Sequence, residues 1–173
     1  MNREQFTKIM SYVMAAIEKK PSKSTIEVYY DLLKDLDYDL AFAAVKKVIA
    51  SDEYPVLPTV GKIRKAAHDL CTMDRLSAPE AWGVVVKAIR KHGYFSEAEA
   101  LDSMPKEVAE TVRFIGWRDL CLSEKPDVVR AQFMRMYEAH EKRKEEMNLL
   151  PADVRELVGK LGDGMKMIGD VNK

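Results

Sequence analysis

Apolar residues recur every three or four positions along almost the whole chain, the spacing of amphipathic helices. Phe6, Ile9, Met10, Val13 and Ile17 fall on one face of a first helix, with Asn2 and Gln5 placed to form its cap. Pro21 and Ser22 end it, because proline cannot continue the hydrogen-bond ladder. Ser24 with Glu27 reads as the capping box of a second helix striped by Ile26, Tyr29, Tyr30 and Leu33. Asp37 caps a third helix whose inner face is Ala41, Ala44, Val45, Val48 and Ile49, small enough to admit a close neighbour. Pro55 and Pro58 bracket an extended turn, each forcing its predecessor out of helical geometry. Thr59 then caps a fourth helix, with Ile63, Ala66, Ala67 and Leu70 turned inward.

The signals reset at 73–78. Ser77 and Glu80 form another capping box, with Pro79 in the first turn. The fifth helix carries Trp82, Val85, Val86 and Ile89 and stops at Gly93, a residue suited to a left-handed cap. Ser96 with Glu99 begins a short helix. Ser103 and Pro105 begin another, with Val108, Val112 and Ile115 inside, and Gly116 interrupts before Trp117, Leu120 and Cys121. A long helix begins near Pro126 and buries Val129, Phe133, Met136, Tyr137 and His140. The run EKRKEEMN beyond it has no apolar stripe and is expected to enter solvent. A last amphipathic helix carries Leu150, Val154, Leu157, Val158 and Leu161, before Gly162, Gly164 and Gly169 loosen the chain around Met165, Met167 and Ile168. It either folds back on the core or docks a partner through helically spaced anchors; the third reading is a disordered end without a role. No alternating strand pattern and no repeat is found. The fold class is therefore all-α: a compact N-terminal bundle of about four helices over 1–73, a second helical region over 77–147 ending in a long solvated helix, and a flexible amphipathic tail over 148–173.

Charge narrows the classes little. Lys plus Arg equals Asp plus Glu at 28 each in 173 residues, and no segment forms a basic arm. Cys71 and Cys121 stand alone and read as reduced thiols of a cytosolic protein. No apolar run approaches the roughly 18 residues of a membrane helix, and no signal peptide is visible.

Catalytic constellations are missing. A P-loop needs a glycine five residues before its Gly-Lys pair and a Ser or Thr after it; around Gly61-Lys62 those positions hold Val56 and Ile63. His68, His92 and His140 lack metal-ligand spacing. The expectation is a protein without enzymatic activity, metal or cofactor. Lys46, Lys47, Lys62, Arg64 and Lys65 could line one edge of the third and fourth helices and contact phosphates, which makes direct nucleic-acid binding the alternative reading. A helix-turn-helix is disfavoured, because that motif turns in three or four residues whereas Ser51 to Pro58 is longer and holds two prolines. Lys142, Arg143 and Lys144 lie among Glu138, Glu141, Glu145 and Glu146 and read as a self-neutralised surface.

The stretch DLDYDLAFAAVKKVIAS followed by YPVLPTVGKIRKAA resembles the helicase loader and inhibitor proteins of tailed phages and prophages of Gram-positive bacteria. That family combines a D-Y-x-x-A-x-x-A-V helix, an aromatic with prolines, and P-T-x-x-x-I-R. Here Asp37, Tyr38, Ala41, Ala44, Val45, Tyr54, Pro55, Pro58, Thr59, Ile63 and Arg64 supply the pattern. EQFTKIM and TIEVYYDLLKDL extend it over residues 1 to about 70. Two extra residues between Pro55 and Pro58, and Gly61 in place of a helix former, depart from it. The middle segment, AWGVVVKAIRKHGY to GWRDLC, looks like extensions of other phage replication-module proteins.

The resemblance implies a cytoplasmic adaptor in the bacterial host. It would bind the hexameric replicative helicase, hold it inactive and deliver it to an origin marked by a phage replication initiator. It would hydrolyse no nucleotide and touch no membrane. By position, the tail residues Leu150, Val154, Leu157, Val158 and Leu161 would contact the helicase. The N-terminal domain would offer the initiator surface, with Tyr29, Tyr30, Tyr54 and Lys62 as candidates. The remaining alternatives are a DNA-binding replication or regulatory protein and a structural phage interaction protein.

Overall fold

The structure is a computed structural model that describes residues 1–18 and 20–170, with side chains as far as Leu161. Met165, Met167 and Ile168 therefore lie outside the described side chains. The fold is all-α. Ten helices follow in order: α1 Arg3–Ala16, α2 Lys23–Leu33, α3 Tyr38–Ser51, α4 Val60–Cys71, α5 Ala78–His92, α6 Glu97–Asp102, α7 Lys106–Ile115, α8 Trp117–Leu122, α9 Pro126–Leu149 and α10 Ala152–Asp170. No strand occurs among the described residues. The chain forms two compact units, Met1–Met73 with Glu146–Lys173, and Asp74–Glu145.

The core of the first unit is built on the stripes that periodicity predicts. Phe6, Ile9, Met10, Val13 and Ile17 meet Leu33, Ala41, Ala44, Val45, Val48, Ile63, Ala66 and Ala67. Ala41 and Ala44 are fully enclosed, so α3 packs closely in the middle of the bundle. Ion pairs Lys47–Asp69 and Lys62–Asp52 link α3 to α4 in reversed order along the two helices, so these helices are antiparallel.

Most caps form as expected. Asn2 and Gln5 close a reciprocal box on α1, Asp37 accepts from the amides of Asp39 and Leu40, and Thr59 accepts from Lys62. The cap of α2 differs. Ser22, not Ser24, accepts from the Thr25 amide at 3.1 Å. Glu27 turns instead to Arg3, with two bonds of 2.9 Å. Ser22 directly follows Pro21, whose ring keeps its neighbourhood extended, the geometry an N-cap requires.

In the second unit Val85, Val108, Val112, Trp117 and Phe133 are fully buried. The polar ends of its aromatics are satisfied. Trp117 Nε1 donates to the Gly93 carbonyl at 3.2 Å, and the Tyr137 hydroxyl donates to that of Leu76 at 3.0 Å. Gly93 and Gly116 both hold positive φ, +66° and +101°, and end α5 and α7. Two expectations for α9 fail here. His140 is exposed rather than buried, and Glu141 is buried against Arg75. The helix therefore turns a charged residue inward where the apolar stripe gives out, and the acid is tolerated because a cation is supplied from the segment before α5.

Candidate docking site on the C-terminal helix

The strongest polar feature of the first unit is Arg64 on α4. Its side chain is 4% exposed. It donates to Asp35 Oδ1 at 2.7 Å and Oδ2 at 2.9 Å, a bidentate fork. Three carbonyls take the remaining donors: Leu32 at 2.8 Å, Leu149 at 2.6 Å and Leu150 at 2.7 Å. All five N–H groups of the guanidinium are thus used, which is the condition for burying it. Asp35 in turn accepts from the Ala152 amide at 3.1 Å and lies 3.4 Å from Arg155. Burial pushes the Asp35 carboxyl up, but the bonds and charge of Arg64, helped by backbone bonds from Asp35 itself and Ala152, outweigh it and hold it below the usual range.

The two charges stand at two helix ends. Leu149 and Leu150 close α9, where carbonyls lack intrahelical partners, and Ala152 opens α10, where amides do. A cation at the first and an anion at the second match the helix dipoles. A cleft of about 230 Å³ beside this corner is lined among others by Leu36, Leu40, His68, Cys71 and Asn148.

Beyond the corner α10 leaves one apolar edge open. Leu150 and Val154 are half-buried, whereas Leu157, Val158 and Leu161 are 57%, 40% and 60% exposed. The five residues of the sequence-derived stripe are therefore close together but divided between a covered start and an open continuation. Helix α10 continues past Gly162, Gly164 and Gly169, where the glycines predict an earlier loosening.

The basic edge is less available than its sequence implies. Arg64 is removed from it, being buried with all donors satisfied. Lys47 pairs with Asp69 at 3.5 Å and Lys62 with Asp52 at 2.8 Å. Lys46 lies over the Phe42 ring at 4.2 Å, and Lys65 is exposed. Of the candidate tyrosines, Tyr29 and Tyr30 are half-buried; Tyr30 packs edge-on to Phe6 beneath Arg3. Burial pushes the Tyr29 hydroxyl up. Tyr54 alone of the three stands clear, 73% exposed on the two-proline loop beside the exposed Val56.

Residues 1–64 match the family model of the phage gene-39 protein, N-terminal domain. This is the helicase-loader and inhibitor type of phage domain, the type to which the α3–α4 motif points. The match covers α1 to α3 and runs into the first turn and a half of α4, ending at Arg64. No curated protein and no solved structure matches the chain. Among the described residues no set of three or more His, Cys, Asp or Glu is placed to hold a metal, and no helix is long and apolar enough to cross a membrane.

The role of Arg64 is what sequence reasoning missed. A signal is present in the spacing: position 64 lies four after Val60 and three before Ala67, between residues that face the bundle.

Proposed function

We propose that this protein is an adaptor of phage DNA replication that binds the hexameric replicative helicase, holds it inactive and delivers it to an initiator-marked origin. The observation that carries this reading is the match of residues 1–64 to the N-terminal domain of the helicase-loader and inhibitor type. The open edge of α10 supports it from the other end of the chain. Leu157, Val158 and Leu161 offer a partner the staggered apolar anchors that helix-in-groove recognition uses. Tyr54 and Val56, exposed on the loop between α3 and α4, are the first choice for the initiator contact.

The adaptor works by linkage. Binding the inactive helicase state more tightly than the active one shifts the helicase by that difference in affinity, without nucleotide hydrolysis by the adaptor. A second contact on the same chain gains effective concentration from the connection, so two modest surfaces can bridge helicase and initiator.

The test is binding of the cognate replicative helicase by the full-length chain and by a Leu157→Asp/Leu161→Asp variant. Both positions are exposed, so the variant leaves the core untouched. Strong loss of binding supports the α10 contact. Undiminished binding moves the contact elsewhere while keeping the adaptor role. Failure of the wild-type chain to bind that helicase overturns the proposal. A truncation ending at Asn148 is a poorer test, because it removes the Leu149 and Leu150 carbonyls from a buried arginine.

A further inference from the structure

One ion pair serves two helix ends that meet at a corner. Arg64 closes the carbonyl end of α9 through Leu149 and Leu150, and Asp35 closes the amide end of α10 through Ala152. These contacts join residues 85 to 117 positions apart and account for the most deeply buried charges of the first unit. The open residues of α10 begin five positions after Ala152, less than two turns beyond the fixed point.

We infer that the Arg64–Asp35 pair is a latch that fixes the start of α10 on the N-terminal bundle and presents Leu157, Val158 and Leu161 to the partner as a preformed helical edge. This deepens the adaptor reading and rests on it for the partner's identity. An isolated segment of this length, with glycine at 159, 162, 164 and 169, is a marginal helix in water. Without the latch it would be ordered at the moment of binding, and that ordering would subtract from affinity. With Leu150 and Val154 half-covered in the latched state and the next three apolar residues open, the latch exposes the docking edge and does not hide it. Arginine is required. Lysine brings three donors in a different geometry and cannot span Asp35 and three carbonyls together.

The experiment uses the full-length chain as wild type, Arg64→Lys and Asp35→Asn. Two quantities are read: amide hydrogen exchange over residues 152–161, and affinity for the cognate helicase. The expected result is exchange at least about tenfold faster in that segment, with residues 41–48 of α3 still protected, and about tenfold weaker helicase binding. Should either variant fail to fold, Ala152→Pro/Arg155→Ala replaces it. It keeps Arg64 and Asp35, removes both contacts that α10 makes with the carboxylate, and places proline where a first helical turn accepts it. Unchanged exchange over 152–161 overturns the latch. Faster exchange with unchanged affinity overturns its role in presentation. If wild type does not bind the helicase, the adaptor reading fails, and the exchange arm still decides the latch.

Discussion

Arg64 and Asp35, 29 residues apart, hold each other through paired bonds of 2.7 and 2.9 Å. The pair has little capacity left for water, since Arg64 spends its other donors on carbonyls and Asp35 also takes an amide and a second arginine. Breaking one partner of such a buried pair leaves an uncompensated charge, whereas exposed pairs such as Lys8–Glu4 add little.

The pair makes the first unit sensitive to acid. Burial raises the Asp35 carboxyl, Arg64 lowers it further, and the net is downward. A carboxyl lowered by folding contributes stability that is complete above its unfolded value, about 3.8 to 3.9, and is lost as pH falls through the folded value. The charged groups that face it are Arg64 from α4 and Arg155 from α10, with Lys34 and Asp153 nearby. Urea unfolding should thus show stability falling below about pH 4, and Asp35→Asn should flatten that fall. A variant as steep as wild type would show that other carboxylates carry it; Glu107, lowered chiefly by its bond to Lys144, is the next to test.

Arg75 and Glu141 offer the same experiment in the second unit. Arg75→Ala should destabilise that unit by about 3 kcal/mol by leaving Glu141 buried alone. Arg75→Met/Glu141→Leu should recover most of the loss, as apolar replacement of a buried pair commonly does. Chemical denaturation of the three proteins measures both; a double variant as weak as the single would contradict the explanation.

Gly116 ends α7 at φ +101°, and a Cβ there would lie 3.0 Å from Asp119 Oδ2. Gly116→Ala should cost roughly 1–3 kcal/mol by forcing a side chain into this conformation. Gly61 and Gly83 have open space around a built Cβ and ordinary helical φ, so Gly61→Ala should stabilise α4 by up to about 1 kcal/mol. Thermal melts of the two variants should move in opposite directions.

Reversing Lys46, Lys47 and Lys65 to glutamate should leave helicase affinity within about threefold, since these side chains lie on α3 and α4 and not on the open edge of α10. Binding to DNA through this edge would instead disappear in the variant, and in wild type would weaken steeply with salt. Electrophoretic mobility shifts at two salt concentrations separate the cases.

The bundle is legible in the sequence because its code is redundant. Each of α1, α3 and α4 carries several apolar residues on one stripe and a capping side chain, so one ambiguous position changes nothing. The choice of Ser22 over Ser24 is not legible, because two hydroxyls two residues apart satisfy the same cap pattern and local backbone chooses between them. Arg64 and Glu141 escape a reading of the sequence for a common reason. Charged residues are seldom buried, and what reverses that preference is a partner distant in sequence, Leu149 and Asp35 for one and Arg75 for the other. The open edge of α10 is visible as a stripe; its division into covered and open halves depends on the corner that Arg64 and Asp35 build.

The first unit is discontinuous in sequence, with Asp74–Glu145 lying between its two parts. During synthesis this sets a clock. Leu149 follows Arg64 by 85 residues, a delay of roughly 4 to 17 s at about 5–20 residues per second. Throughout that interval the nascent bundle carries a half-coordinated guanidinium, while the intervening 72 residues, 74 to 145, have time to fold. The newborn domain completes its charge network only when the residues that lead directly into the docking helix have been made, so that structural maturity and the capacity to engage a partner arrive together.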